Sequence, residues 1–374
     1  MNRKLPDILK KSRFDYILLV DVLLLVGIGV VMVYSSSAII AEKKFGDPFY
    51  FLKRDTLNSL IGIFLMLIFS FVPYLYFKKA AFPIFIISLL LLILVLIPNI
   101  GKGPKDIKRW IDIGIGIRFQ PSEFFKLAII IFLASYLARC REKVKEFTSG
   151  VLMPLIFIAI PCILILFQPD FGTVVLIFAI GFILIFIAGA RLRDIMPVLI
   201  FIIVPIFILL ITKQGYRYNR ILAFIDPWKD PEKTGFQIIQ SFIAFVSGGK
   251  FGLGLGESQQ KLFFLPAAHT DFIFAILGEE MGLLGVFVVV FLFSIIVILG
   301  FRIAWRIKEP FGTYLATGIV VMIALQTIIN MGVVMGIFPT KGLTLPFISY
   351  GGSSLVVNLI GMGILLNISS YIRD

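Results

Sequence analysis

Residues 271–300 of this chain read DFIFAILGEEMGLLGVFVVVFLFSIIVILG, and no other stretch indicates the class of fold as clearly. Its only charged side chains are Asp271, Glu279 and Glu280, all close to its start. An α-helix of about 20 apolar residues crosses the roughly 30 Å hydrocarbon core of a bilayer. The stretch is long enough for such a helix, so it predicts a transmembrane span that begins at a polar motif.

The composition of the whole chain agrees with a membrane protein. Of its 374 residues, 59% are hydrophobic and 15% are charged, and the mean hydropathy is +1.02. A soluble domain of this size does not need so many apolar residues. We therefore predict an all-α, polytopic integral membrane protein with about ten transmembrane helices. It is expected to form a single membrane domain over 1–374, with a long extracytoplasmic loop, 213–270, between helices 7 and 8. The predicted spans are 17–37, 56–74, 81–97, 121–138, 151–167, 171–189, 195–212, 271–300, 313–337 and 352–371.

Four short polar motifs stand where an even-numbered span begins. Because successive spans alternate in direction, all four motifs are predicted at the same face of the membrane. Carboxylates at a membrane edge are costly, so a functional role is the default hypothesis for them. The sequence thus predicts one site, on one side, that acts on something polar delivered by a membrane. The motifs are Pro121-Ser122-Glu123, Gln168-Pro169-Asp170, His269-Thr270-Asp271 and Ser349-Tyr350-Gly351-Gly352-Ser353.

The distribution of Lys and Arg in the short loops predicts the orientation. Loop 213–270 is set aside, because long loops are translocated with little regard to charge. The remaining loops on the side of the N-terminus then hold more of these cations. Both termini are therefore predicted in the cytoplasm and the four motifs on the outer face. The net charge of +13 indicates an anionic partner there, although cations lying among lipid headgroups would explain any single residue equally well.

Glu123 and Lys126 stand three residues apart on the predicted fourth helix, so they share a face and can pair. One interpretation is a buried ion pair that only positions helices. The other is a substrate site, in which Lys126 holds a phosphate or an acceptor oxygen and Glu123 orients it. The sequence leaves both interpretations open.

Asp170 and Asp271 differ in the role that their surroundings favour. Asp170 stands where it can cap a helix, and capping alone would explain it. Thr270 can cap the next helix, which leaves Asp271 in the first turn, where the helix dipole stabilises a carboxylate. A stripe of small residues on the same side of that helix lets a helix or a ligand approach closely, so catalysis is favoured over capping. The stripe consists of Ala275, Gly278 and Gly282.

The other polar and glycine-rich segments have competing interpretations as well. Glu279 and Glu280 lie about 12 Å further along the Asp271 helix and need partners, for which a structural ion pair or a water-lined cavity is favoured. The turn at 349–354 offers a helix N-terminus that attracts anions, with Lys341 close in sequence; a flexible kink is the alternative. In the long loop, 236–246 is apolar enough to lie in the membrane interface, and the glycines after it predict a moving loop over an outer cleft.

Several motifs, in their order and spacing, resemble the SEDS (shape, elongation, division, sporulation) family. The resemblance covers nearly the whole chain, and 339–346 is more similar to the division (FtsW) branch than to the elongation (RodA) branch. At 267–268 the chain has two alanines where the family often has an acidic residue after the proline. The motifs are DPFYFLKR (47–54), KRWID (108–112), QPSEFFK (120–126), QPDFG (168–172), ILAFIDPW (221–228), LPAAHTDFIFA (265–275), GEE (278–280) and PTKGLTLPFISYGGSS (339–354).

The resemblance implies a peptidoglycan glycosyltransferase that polymerises lipid II into glycan strands at the outer face of the bacterial cytoplasmic (inner) membrane, for cell division or cell shape. Asp271 would be its general base, taking a proton from the 4-hydroxyl of the acceptor sugar. The substrate-binding candidates are Glu123, Lys126, Arg109, Trp110, Asp170, Lys341, Ser349, Gly351, Gly352 and Ser353.

The resemblance also implies cofactors and partners. The resemblance is compatible with a divalent cation, Mg²⁺ or Mn²⁺, as a cofactor. No organic cofactor and no dedicated set of metal ligands are expected. The expected partners are lipid II, the growing glycan strand, a single-pass class B penicillin-binding transpeptidase and other divisome or elongasome membrane proteins. No nucleic acid is expected as a partner. The protein is expected in the inner membrane, including the membrane at the division septum.

Two other classes of function remain open at this point. A flippase for the same lipid would need polar residues through to the opposite leaflet, and Glu279, Glu280 and Asn330 form only a thin path. A scaffold that only recruits a transpeptidase would tolerate the loss of Asp271.

Overall fold

The computed structural model describes residues 14–98, 100–103, 108–112, 114, 118–200, 223–233, 235–262, 264–340 and 342–372. Ten α-helices are delimited in these ranges, and a small antiparallel sheet of three short strands lies between the third and the fourth. A π-helical turn, Thr148–Leu152, leads into α5, and 192–200 is helical too. The helices are α1 Tyr16–Phe45, α2 Tyr50–Phe71, α3 Leu75–Leu94, α4 Pro121–Arg139, α5 Met153–Phe167, α6 Phe171–Ile187, α7 Phe236–Gly248, α8 Ile273–Arg306, α9 Pro310–Val334 and α10 Gly352–Ser369. The strands are β1 Gly101–Lys102, β2 Trp110–Asp112 and β3 Arg118–Phe119.

The helices agree with the predicted spans. Within the described ranges, eight helical segments are long and apolar enough to cross a membrane, and α6, with 17 residues, is a shorter apolar helix in the predicted sixth position. The predicted seventh span, 195–212, is described only as far as 200, and its remainder lies outside the described residues. The prediction of an all-α, polytopic membrane protein is confirmed.

The contacts between helix ends define two ends of the bundle. The backbone N–H of Asp15 donates to Ser369 Oγ (3.2 Å), and the backbone N–H of Tyr74 donates to Asn367 Oδ1 (2.8 Å). The starts of α1 and α3 therefore meet the last turn of α10 at one end, which we call the terminal end. We call the opposite end, where α4, α6, α8 and α10 begin, the Asp271 end.

The helices differ in how much of their surface the protein covers. Helices α4, α9 and α10 are buried along most of their length, whereas α1, α2, α3 and α8 expose one side of apolar residues. Glycines allow close helix contacts: Gly363 of α10 leaves no room for a Cβ beside the carbonyl of Met66 in α2. Polar side chains on α4, α9 and α10 therefore face protein rather than lipid.

Helix α7 packs on the bundle. It contacts the end of α9, where Ser241 Oγ donates to the carbonyl of Val334 (2.8 Å). It ends beside α8, where Gly248 lies against the carbonyl of Gly278 with no room for a Cβ. The small-residue stripe of α8 thus offers α7 a protein surface to pack on, and the position of 236–246 in the membrane interface stays a prediction.

Candidate functional site

The four polar motifs meet at the Asp271 end. The backbone N–H of Tyr350 donates to the carbonyl of His269 (3.0 Å), which joins the last motif to the third. The backbone N–H of Gln120 donates to Ser353 Oγ (3.0 Å), and its side-chain amide reaches Asp170 Oδ2 (3.5 Å). These contacts join the turns before α4, α6, α8 and α10. The predicted convergence of the motifs at one end is confirmed.

Asp271 lies in the turn that precedes α8 and is half-buried. The predicted capping by Thr270 was wrong: its hydroxyl donates to the carbonyl of Ala267 (3.2 Å), and the N-cap residue of the helix is Phe272, whose side chain makes no capping hydrogen bond. The chain turns sharply after Pro266, so the hydroxyl of Thr270 binds within that turn. Asp271 therefore lies before the first residue of the helix. A Cβ at Gly342 would lie only 3.2 Å from Asp271 Oδ2, so the carboxylate faces the 342–345 stretch.

Asn330, near the end of α9, fixes this arrangement. Its side-chain amide donates to the carbonyls of Asp271 (2.9 Å) and Leu343 (2.6 Å). Leu343 in turn contacts Gly172 in the first turn of α6, where a Cβ would lie 3.4 Å from Leu343 Cγ. Sequence reasoning had considered Asn330 only as part of a thin transport path. An amide in the last turns of an apolar helix was the signal that could have assigned it to the site.

The turn before α6 holds Asp170 as a helix cap, as predicted. Its carboxylate accepts from the backbone N–H (3.3 Å) and the hydroxyl (2.8 Å) of Thr173. Arg109 reaches over from the strand region and donates through Nε to the carbonyl of Gln168 (2.8 Å) and through Nη2 to that of Pro169. Both predicted binding residues therefore have structural contacts, and Arg109 has fewer donors left for a ligand.

Glu123 and Lys126 form the predicted ion pair, with 2.7 Å between Oε2 and Nζ, and their side chains are 9% and 1% exposed. An ammonium has three N–H donors, and within the described part of the chain Glu123 is the only charged partner of Lys126. Among the described residues, four more buried polar atoms without a hydrogen-bond partner lie on the helices that pack on α4: Gln326 Oε1, Thr327 Oγ1 and Asn330 Oδ1 on α9, and Asn358 Oδ1 on α10. Buried polar groups are normally satisfied, so spare hydrogen-bonding capacity here indicates room for water or a polar ligand.

The remaining predicted binding residues have different surroundings. Ser349 is buried and its hydroxyl accepts from the backbone N–H of Leu345 (2.9 Å). Gly352 has no room for a Cβ beside Asn58 of α2, and Gly351 is the N-cap of α10, which no side chain caps. Trp110 pairs with Lys102 in the sheet, and no described contact joins it to Asp271. The residue at 341 lies outside the described residues, so the structure says nothing about this lysine.

His269, two residues before Asp271, was named in the motif but given no role. Its ring lies 4.7 Å from that of Phe51 and 5.9 Å from that of Tyr350, measured between centroids. Burial, helped by the positive charge of Lys44, lowers the pKa of His269 to about 4. The imidazole is therefore neutral at physiological pH and does not compete with a cationic residue for an anionic ligand.

The fold and the site together define a class: a multi-pass membrane protein whose polar turns converge on an aspartate at one end of the bundle, with a buried lysine near the start of α4 at the same end. The chain belongs to the FtsW/RodA/SpoVE family of cell cycle proteins, whose model matches residues 16–374. It is accordingly a multi-pass protein of the inner membrane. The resemblance seen in the sequence is confirmed.

Individual relatives cover almost the whole chain. It is 45% identical to the probable peptidoglycan glycosyltransferase FtsW of Geobacter metallireducens over 362 residues, which are 97% of this chain and 96% of that protein. It is 43% identical to the stage V sporulation protein E of Bacillus subtilis over 364 residues, 97% of this chain and 99% of that protein.

Two solved structures show the same fold. One is the rod shape determining protein RodA of Thermus thermophilus, with 26% identity and a TM-score of 0.69 over 96% of this chain and 98% of that one. The other is a chain from a peptidoglycan synthase complex that coordinates polymerization and crosslinking, with 29% identity and a TM-score of 0.77 over 95% of this chain and 97% of that one.

Proposed function

We propose that this protein is a peptidoglycan glycosyltransferase that polymerises lipid II into glycan strands. The observation that carries the proposal is the position of Asp271: the aspartate lies in the turn before the helix, faces Gly342, and has its backbone carbonyl held by Asn330 at the meeting point of four polar turns. The names of relatives that are more than 40% identical over nearly the whole chain support the same activity.

In the proposed reaction, Asp271 accepts the proton of the acceptor sugar's 4-hydroxyl group. The hydroxyl oxygen attacks the anomeric carbon of the donor, and the bond from that carbon to the diphosphate breaks. An aspartate is a weak base near neutral pH, so proton transfer would accompany bond formation rather than precede it. A site between protein turns at the end of the bundle suits this chemistry, because the lipid tails can remain in the membrane.

The donor diphosphate needs positive charge and N–H donors. We assign these roles to Lys126, to the uncapped N-terminus of α10 at Gly351–Ser353, and to Lys341. Within the described ranges no three His, Cys, Asp or Glu side chains come together as a ligand set. A bound Mg²⁺ or Mn²⁺ would therefore have Asp271 as its main protein ligand. The substrate's phosphate oxygens would supply its other ligands, as is often the case for Mg²⁺.

The proposal includes an orientation and a partner. The Asp271 end would face outward and both termini would lie in the cytoplasm, which agrees with the excess of cations in the remaining short loops. A transpeptidase would act beside this protein on the new strand. The support is that a structural relative comes from a synthase complex that joins polymerization to crosslinking. Similarity to probable FtsW proteins favours a role at the division septum.

The decisive experiment replaces Asp271 by Asn in the purified full-length protein and follows the formation of glycan polymer from lipid II, with and without the cognate transpeptidase. The polymerisation rate is expected to fall by about two to four orders of magnitude, the usual contribution of a positioned proton acceptor, with lipid II binding nearly unchanged. Asp47→Asn is the matched control, because Asp47 is a partly exposed aspartate that pairs with Lys53 and accepts from the backbone N–H of Phe49.

The outcomes separate the classes of function. A flippase would move lipid II across vesicles without making polymer, and a scaffold would show neither activity. If Asp271→Asn protein is well folded and polymerises at the wild-type rate, Asp271 is not the base.

A further inference from the structure

Helix α8 is broken one third of the way along, at Gly282. The backbone there has φ 64° and ψ −164°, which lies outside the helical region. Gly252, in the segment after α7, lies directly against this break with φ 82°, and neither glycine has room for a Cβ. Only glycine adopts such conformations at this proximity without strain. The break is thus built by two glycines from segments about 30 residues apart.

Four hydrogen bonds are exchanged at the break. In an intact helix the N–H groups of residues 283 and 284 would donate to the carbonyls of 279 and 280. Here both N–H groups donate to the 249–254 segment instead, and both carbonyls accept from it. No polar backbone group is lost by the break, which a membrane interior requires. The four bonds are Leu283 N–H to Gly249 O (3.0 Å), Leu284 N–H to Lys250 O (3.2 Å), Leu253 N–H to Glu279 O (3.0 Å) and Gly254 N–H to Glu280 O (3.0 Å).

The two carboxylates at the break bind the chain as it returns toward the Asp271 end. Glu279 accepts from the hydroxyl of Ser258 and from the backbone N–H groups of residues 259 (3.0 Å) and 260 (3.3 Å). Glu280 pairs with Lys261 (2.9 Å) and also accepts from the hydroxyl of Ser35 in α1 (2.6 Å). The side chains of Lys261 and Glu280 are 5% and 0% exposed. The expectation of an ion pair is confirmed for Glu280, whereas Glu279 is held by hydrogen bonds.

This ion pair closes a loop around Asp271. Lys261 precedes Asp271 by ten residues and Glu280 follows it by nine. Between them, the chain is held by a turn in which the backbone N–H groups of Thr270 and Phe272 donate to the carbonyl of Ala267. The rigid first turns of α8 connect Asp271 to Glu280. The distance between the two ends of the loop therefore sets where Asp271 stands relative to the 342–345 stretch.

We propose that Lys261, Glu280 and Ser35 form a buried latch that positions Asp271 for proton transfer. The latch joins the returning loop, the broken α8 and the first transmembrane helix at one point. The side chains of Lys261 and Glu280 are buried and bind each other and Ser35, so we assign all three a positioning role. The inference rests on the proposed function, since it assigns the latch a role in the reaction of Asp271. A displacement of about 1 Å at a catalytic group can lower a rate about 100-fold.

The test compares Lys261→Met with the double variant Lys261→Met/Glu280→Gln in the lipid II polymerisation assay. The single variant leaves a buried carboxylate uncompensated and should be less stable and less active. The double variant removes the charge and should regain thermal stability. Its kcat should stay about 10- to 100-fold below wild type, with KM for lipid II within about twofold, because geometry rather than binding is lost.

Two results would overturn the latch. If the double variant regains kcat together with stability, the pair is structural only. If KM rises while kcat is unchanged, the trio serves binding. Should the double variant not fold, Ser35→Ala decides instead: it removes one hydroxyl, leaves the ion pair, and is expected to lower kcat about 3- to 10-fold at near wild-type stability. Unchanged kcat in folded Ser35→Ala protein would then refute the proposal. Lys53→Met, which breaks an exposed Lys–Asp pair, is the matched control and should behave as wild type.

A distance measurement keeps the latch separate from the proposed function. Spin labels at Ala267→Cys and at Leu57→Cys, an exposed position on α2, are introduced in a background with Cys140→Ser and Cys162→Ala. If the latch positions Asp271, the distance distribution of the double variant should be broader than that of the wild type or shifted from it. The distribution of the Lys53→Met control should be unchanged. Unchanged distributions refute the latch even if the enzyme is active. If the wild-type protein makes no glycan, the proposed function fails while this measurement still decides the latch.

Discussion

Replacing Lys126 with Met, alone and together with Glu123→Gln, tests what the buried pair of α4 does. The two charged atoms are 2.7 Å apart, and the side chains are 1% and 9% exposed, so water screens neither group. Removing one partner of such a pair leaves a charge without compensation and typically destabilises a protein by about 3–5 kcal/mol. Replacing both by uncharged groups of similar volume is often close to neutral.

The expected loss for Lys126→Met is therefore at least about 3 kcal/mol, the lower end of that range. The double variant should lose about 1 kcal/mol or less, so the coupling energy between the two positions is expected to be at least about 2 kcal/mol.

The assay is thermal unfolding of the purified protein in detergent for the four members of the double-mutant cycle, followed by lipid II polymerisation. We expect the double variant to regain most of the stability that Lys126→Met loses. It should remain poorly active, because Lys126 has spare donors that we assign to the donor diphosphate. Strictly additive losses of stability would refute the coupling, and full activity of the double variant would refute the role in substrate binding.

Three further predictions concern topology, pH and packing. Native Cys140 should react with an impermeant thiol reagent only from the cytoplasmic side and Ala267→Cys only from outside; labelling of both from one side would contradict the shared outer face. The pKa of His269 is about 4 in the folded protein, so below about pH 6.5 only the unfolded chain binds a proton at this residue. The melting temperature should therefore drop between pH 7 and pH 5. The drop should be smaller in His269→Gln protein. Gly248→Leu should abolish folding or activity, since its side chain would collide with the backbone of Gly278, whereas the same change at exposed Gly27 should be tolerated in thermal unfolding.

The position of the transmembrane helices could be predicted because it depends on local sequence. An apolar run of about 20 residues must satisfy its own backbone groups as a helix, whatever surrounds it. The parity of the spans then placed the motifs of Asp170 and Asp271 at one end, and spacing along one helix was enough to pair Glu123 with Lys126. Each of these predictions used distances along a single helix or a count of crossings.

Other features depend on contacts between segments far apart in the sequence. Nothing local distinguishes an apolar helix at 236–246 that lies in the interface from one that packs on the stripe around Gly278. Nor does local sequence reveal that Thr270 donates within its own turn, or that Asn330 holds the backbone at Asp271. These follow from which neighbours compete for each polar group once the helices have assembled.

Hydrophobic length and parity are properties of the chain, so its amino-acid sequence was enough to predict many membrane spans and the convergence of the polar motifs at one end. The return of the long loop into the bundle and the break of α8 at Gly282 became evident only in the folded protein. The physical reason is that the break exchanges four backbone hydrogen bonds between residues about 30 positions apart. The backbone groups that take part in these four bonds remain paired, so hydropathy and periodicity leave no trace of the exchange.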